Sequence, residues 1–204
     1  MLNTIEKSLL FENLATKSWS SHLNFISIEE CHNLRKYIDF HLQHQNFKQA
    51  EIGNGLNQKE ATSIRNSDIA WINHWDARKE LTQLYNSFTE LQAEFNRSFY
   101  LSLKRFESQL AFYPKGGFYK KHIDQLRDTK HRQITLILYL MDCPIGGELV
   151  IYNQNDKNKI DTIIKPKAAQ VVCFNSAKIF HEVLPTELKR YSITTWFRDD
   201  LIVF

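Results

Sequence analysis

At 204 residues, with 43% apolar and 24% charged side chains, the chain falls outside the disordered regime and fits one globular domain. Its net charge of +3 is too small and too dispersed to indicate nucleic-acid binding. Three cysteines without zinc-like spacing exclude a disulfide framework and read as reduced thiols. No apolar run reaches membrane-spanning length, and Glu6 and Glu12 interrupt the opening residues, so the expectation is a cytoplasmic protein with neither a membrane nor a nucleic-acid partner.

Taken in chain order, the first hundred residues read as mixed, with two helices standing out. Ser27-Ile28-Glu29-Glu30 forms a capping box, after which Cys31, Leu34, Ile38 and Leu42 recur at helical spacing. A second helix is expected from Asp76, as N-cap, to Arg97, with Leu81, Leu84, Phe88, Leu91 and Phe95 on one face. Between them the segment 51–68 is polar and loop-like, readable as a lid over a substrate or as an ordinary exposed connection; Ile69, Trp71 and Ile72 then suggest a strand.

From about residue 103 the texture changes to short runs rich in β-branched and aromatic residues: LKRFESQLAFY, RQITLILYLM, GELVIY, KIDTIIK, AQVVCF and YSITTWF. Turn signals at 114–117, 144–147 and 153–156 separate them. The fold expected is mainly β, a jelly roll (double-stranded β-helix) with helices packed on its outside. It forms a single domain, with a helical or mixed part over 1–100 and the catalytic core over 101–204.

Within this core, His122 and Asp124 stand two apart, so that in a strand both project from one face. His181 lies 57 residues beyond Asp124 and supplies the third ligand. Two His and one carboxylate on one face of an octahedron are the facial triad of non-haem iron(II) oxygenases. The pattern alone is weak, since chance gives roughly 0.4 such dipeptides in a chain of this composition. A second copy, His74-Trp75-Asp76, is read as a decoy because Asp76 is needed as a helix cap. Arg190, nine residues after His181, strengthens the first copy: its planar fork suits the far carboxylate of a metal-bound dicarboxylate. Tyr139 and Thr194 are placed to add hydroxyl donors to that carboxylate.

Over about 85 residues, from Tyr113 to Trp196, these runs resemble the 2-oxoglutarate-dependent prolyl hydroxylases of the hypoxia-inducible-factor type and their bacterial relatives. YPKGGFYKKHID, GGELVIY and HEVLPTELKRYSITTW carry the likeness; SIRNSDIAWI carries it more loosely, with Ser67 where that family has an Asp paired to the Arg65 position. The resemblance implies Fe(II) held by His122, Asp124 and His181, with 2-oxoglutarate and O2 as co-substrates and ascorbate as a reductant. It places Arg190, Tyr139 and Thr194 on the distal carboxylate, with Tyr113, Ile137, Leu149 and Val183 around the co-substrate. Tyr119 and Trp196 then border the target prolyl ring, and Arg132 and Arg65 stand at the substrate entrance. The implied substrate is a proline in a protein or peptide, such as a translation factor. A hydroxylase of a free amino acid or other small metabolite shares every iron and co-substrate residue and stays open at this stage. A non-catalytic cupin would need neither Arg190 nor Tyr139. A nucleic-acid demethylase of the same chemistry would show two arginines six apart, whereas Arg190 and Arg198 are eight apart.

Overall fold

The structure is a computed structural model that describes residues 3–44, 46–49 and 63–201. Most of the segment read as a lid, 51–62, lies outside the described residues. Three helices, α1 (Thr4–Lys17), α2 (Ile28–Gln43) and α3 (Lys79–Phe99), accompany eleven strands. The strands are β1 (Trp19–His22), β2 (Lys48–Gln49), β3 (Asp68–Trp71), β4 (Arg105–Tyr113), β5 (Tyr119–His122), β6 (Arg132–Tyr139), β7 (Leu149–Tyr152), β8 (Ile160–Ile164), β9 (Val171–Asn175), β10 (His181–Val183) and β11 (Arg190–Arg198). They form two antiparallel sheets, a large one in the order β1-β9-β6-β11-β4-β3-β2 and a small one in the order β5-β10-β7-β8.

Strand alternation explains why the core runs look continuously apolar. On β6, Ile134, Leu136 and Leu138 point into a cluster under the helices, while Ile137 and Tyr139 point between the sheets. Strand β9 divides the same way, Val171 and Cys173 outward to the helices, Val172 and Phe174 inward. The large sheet is thus buried on both faces and needs no polar face. Leu81, Leu84, Phe88, Leu91 and Phe95 of α3 are all buried and cover its outer face, as their spacing predicts. Each such side chain contributes about 1.5–3 kcal/mol of transfer free energy. This is the expected jelly roll with helices on the outside.

Two local expectations need correction. Helix α3 begins at Lys79 behind Arg78, which makes no side-chain cap, so Asp76 is not its N-cap. Instead Trp75 packs against Tyr85, Phe88 and Phe106, and this aromatic anchoring sets where the chain turns into the helix. Helix α1, which the sequence reading passed over, carries its own capping box from Asn3 and Glu6. The Ser27–Glu30 box does open α2, and Cys31, Leu34 and Ile38 are buried as expected. Among the described residues, no helix is long and apolar enough to cross a membrane.

Candidate metal centre and co-substrate pocket

The mouth of the sandwich is a cleft of about 1000 Å³ running from the inter-sheet core to the end of α2. At its base, His181 on β10 pairs directly opposite His122 on β5, so that both rings emerge on one face with centroids 4.1 Å apart. Asp124 follows in a bend beyond the end of β5. The convergence of His122 and Asp124 therefore comes from a strand end and the turn after it, rather than from alternation along one strand. Thr129 Oγ1 donates to the Asp124 carbonyl at 2.7 Å, and the Gln125 amide donates to the Ser176 carbonyl at 3.0 Å; together they fix that bend.

The three side chains offer ligand atoms that all lie within 4.8 Å of one another. His122 Nε2 is 3.7 Å from Asp124 Oδ1, and His181 Nε2 is 3.8 Å from Oδ2. Both imidazoles face the backbone through Nδ1, His122 at 2.8 Å from the Lys120 carbonyl and His181 at 3.2 Å from that of Ile179. With the proton on Nδ1, each Nε2 presents a lone pair to the same point. Burial, and then the close approach of the second imidazole, His181, hold the His122 pKa far below its ordinary value. Burial alone would raise the Asp124 pKa, but His181, His122, Arg132 and a hydrogen bond from Thr135 together lower it. A neutral imidazole beside an ionised carboxylate is the form that binds a divalent cation. This donor set of two nitrogens and one carboxylate fits Fe(II).

One turn of the cleft away, Arg190 opens β11 opposite Tyr113 of β4. It is 1% exposed, its guanidinium lies 4.6 Å over the Tyr113 ring and 4.9 Å over that of Tyr139, and its Nε has no partner among the described residues. The Tyr139 hydroxyl beside it is also buried and unpartnered, its pKa raised by burial against the pull of Arg190. A buried guanidinium and a phenol facing one another with no carboxylate between them fit the distal end of a dicarboxylate. The Gly146–Gly147 turn packs behind them: a Cβ at Gly147, where φ is +72°, would sit 3.3 Å from Arg190 Cδ.

The structure brings most of the expected residues to this cleft. Arg65, Tyr113, Tyr119, Arg132, Ile137, Val183, Arg190, Thr194 and Trp196 line it with the triad. Tyr139 lies beneath the lining, and Leu149 belongs to the inter-sheet core behind it. Tyr119 stacks on His122 with centroids 3.5 Å apart, and Arg132 covers the Trp196 ring at 3.8 Å while bonding Glu107. His74 lines the outer cleft, and among the described residues the triad is the one cluster with metal-ligand spacing. Arg65 Nε donates to Ser67 at 2.7 Å, and no described carboxylate lies within ion-pair distance of it. Thr135 and Ser176, both fully buried and bonded in series to Asp124, were missed by the sequence reading. Nothing in RQITLILY marks Thr135 out, since Gln133 and the phenol of Tyr139 share its face of β6.

Residues 108–198 match the 2OG-Fe(II) oxygenase superfamily, and the triad and the pocket beside it have the donor set such a domain requires. More narrowly, the chain resembles prolyl hydroxylases of the hypoxia-inducible-factor type. It is 29% identical over 148 residues to the hypoxia-inducible factor prolyl hydroxylase of Caenorhabditis elegans, covering 67% of this chain and 20% of that protein. The chain thus spans about a fifth of that relative's length. The crystal structure of a Pseudomonas putida prolyl-4-hydroxylase superposes with a TM-score of 0.82 at 27% identity, covering 95% of this chain and 99% of that one. A Trichoplax adhaerens prolyl hydroxylase, solved with a hypoxia-inducible-factor peptide fragment, shares the fold with a TM-score of 0.80 at 24% identity, over 98% of this chain and 94% of that one.

Proposed function

We propose that this chain hydroxylates a prolyl residue in a protein substrate, with release of succinate and CO2. The observation that carries the reading is one cleft holding the His122–Asp124–His181 cluster together with an acid-free buried guanidinium, Arg190. His122, Asp124 and His181 hold the iron; Arg190, with Tyr139 and Thr194, holds the distal carboxylate of 2-oxoglutarate. When bound, iron and 2-oxoglutarate supply the oxidation, consuming O2 and delivering one oxygen atom to a substrate C–H bond.

The protein's own contribution is position and dryness. Tyr113, Ile137 and Val183 wall the co-substrate pocket against water. Tyr119, stacked on His122, and Trp196, fixed by Arg132, offer two aromatic surfaces beside the metal position for a prolyl ring. No side chain has to act as a general base. The likeness to the P. putida prolyl-4-hydroxylase over nearly the full length of both chains supports the prolyl target.

Residues from both halves of the chain act as one domain in this reading, because β1, β2 and β3 are strands of the same sheet as β4, β6, β9 and β11. Three buried free cysteines favour a cytoplasmic setting, where a translation factor is an accessible substrate. The test compares proteomes of source cells carrying the wild-type chain and His122→Ala. A hydroxyproline present only with the wild type names the substrate. Its absence at good coverage, while the purified protein still turns over 2-oxoglutarate, transfers the reading to a small-metabolite hydroxylase.

A further inference from the structure

Three arginines line the cleft, and two of them have an evident use for their charge. Arg132 donates to Glu107 at 2.7 Å, and Arg190 faces the co-substrate pocket. Arg65 is different. It is 8% exposed, lies 4.6 Å over the Tyr119 ring, and gives its Nε hydrogen to the neutral hydroxyl of Ser67. Its terminal nitrogens donate to nothing among the described residues. Asp68, one place along, opens β3 without pairing to it, and burial raises its pKa with no cation to offset that. A largely buried guanidinium that lines the cleft and meets no anion among the described residues is suited to a charge that arrives from outside.

Its placement is rigid. The Asn66 amide donates to the Phe118 carbonyl at 2.9 Å, the Lys120 amide donates to the Ile64 carbonyl at 2.9 Å, and Arg65 bridges Tyr119, so 64–66 extends the small sheet beyond β5. Two residues later the chain joins the large sheet as β3. Residues 64–71 therefore span the mouth of the sandwich. Gly117 permits this approach, since a Cβ there would lie 2.9 Å from the Asn66 carbonyl oxygen. Arg65, Tyr119 and His122 form a ladder from the entrance to the metal position. Apart from the triad's Asp124, Asp128 is the sole acid among the described lining residues, against Lys48, Arg65, Arg132 and Arg190.

We infer that Arg65 is a carboxylate-binding subsite for the substrate, engaging an acidic side chain next to the target residue or a C-terminal carboxylate. The identity of the target as proline rests on the function proposed above; the subsite does not. A carboxylate there meets a planar two-pronged donor already oriented by Ser67 and Tyr119.

The test uses short fluorescein-labelled peptides with one central proline. They carry Asp or isosteric Asn at each flanking position and a free or amidated C-terminus, and binding to the full chain is read by anisotropy. The wild type is expected to bind one carboxylate-bearing peptide at least about tenfold more tightly than its amide counterpart. Which pair differs tells side chain from terminus. Arg65→Gln is expected to reduce that ratio to near one. If Arg65→Gln does not fold, Ser67→Asp decides, because it supplies an internal carboxylate and should erase the same preference. No carboxylate preference in the wild type, or a preference that survives the decisive variant, overturns the inference. A clear preference without proline oxidation by mass spectrometry removes the prolyl reading and leaves the subsite standing. Proline oxidation without a preference does the reverse.

Discussion

The Thr135 hydroxyl donates a 2.7 Å hydrogen bond to Oδ2 of Asp124, and both side chains are buried. Ser176 Oγ lies 2.8 Å from the same hydroxyl and completes a chain of three polar groups inside an apolar sandwich. With Oδ2 held from behind, Oδ1 is the oxygen left to face a metal. Thr135→Val keeps the shape and removes the donor. It is expected to weaken divalent metal affinity by about 10- to 100-fold while the protein stays folded. Titration of the metal-free protein with Mn(II) or Co(II) reads this directly. An unchanged affinity would mean that the bend at 124–129 alone orients the carboxylate.

Arg190 and Tyr139 are expected to separate in magnitude. Arg190→Ala removes the buried guanidinium that faces the co-substrate pocket and should raise the dissociation constant for 2-oxoglutarate by about 30-fold or more, as expected for a desolvated carboxylate left unpaired. Tyr139→Phe removes one neutral donor and should cost about three- to tenfold. Calorimetric titration of 2-oxoglutarate into Mn(II)-loaded protein measures both. Equal losses would mean that the two groups act as one hydrogen-bonded unit.

Much of this was legible from local pattern, and the exceptions share a cause. The apolar face of α3, the six strand runs after residue 103, the triad and Arg190 were readable because each is written in spacing or in a dense motif. The α3 start was misplaced because Asp76 looks like a cap, while the Trp75 contacts that decide the matter come from β4 and α3. Thr135 was missed because its partner lies eleven residues away in a bend, and nothing in RQITLILYL announces a polar contact. The lack of a described acid beside Arg65 was half-visible, in the Ser at position 67. That no described carboxylate replaces the missing acid is a tertiary fact.

Acid should weaken the metal-free protein early. His122 is held neutral in the fold, mainly by burial and then by the neighbouring imidazole of His181, so below its ordinary value near 6.5 the unfolded chain takes up a proton that the native site refuses. Stability therefore falls as pH falls through that window. The lowered Asp124 pKa adds a second loss, but only at more acid pH, below the ordinary carboxylate value of 3.8. The melting temperature of the metal-free protein is expected to drop by about 3 °C or more between roughly pH 7.5 and 5.5, with a smaller drop in His122→Gln. A flat profile in the wild type would show that the imidazole accepts its proton inside the fold.

The second HxD copy gives a sharper contrast. His74 lines the outer cleft, but no described group of ligand atoms with metal spacing includes it. His74→Ala is expected to leave Mn(II) affinity within about twofold of wild type, where His181→Ala should lower it by orders of magnitude because a facial triad has no ligand to spare. Comparable losses from the two variants would make His74 part of the metal site.

Gly147 links the turn after β6 to the co-substrate pocket. Its φ of +72° lies in the left-handed region, and a Cβ there would stand 3.1 Å from Thr186 Oγ1 and 3.3 Å from Arg190 Cδ. Gly147→Ala must strain the backbone and push against the side chain that faces the pocket. We expect a stability loss of about 1–2 kcal/mol together with weaker 2-oxoglutarate binding, because an Arg190 side chain pushed into the pocket no longer presents its guanidinium at the same place. Gly116, at φ +78° but with open space around its Cβ position, is the matched control. Gly116→Ala should cost stability through the same backbone strain and leave 2-oxoglutarate affinity unchanged. Thermal melts with calorimetric 2-oxoglutarate titration of both variants separate the two effects, and a binding loss in Gly116→Ala as large as in Gly147→Ala would trace the effect to strain in the loops rather than to contact with Arg190.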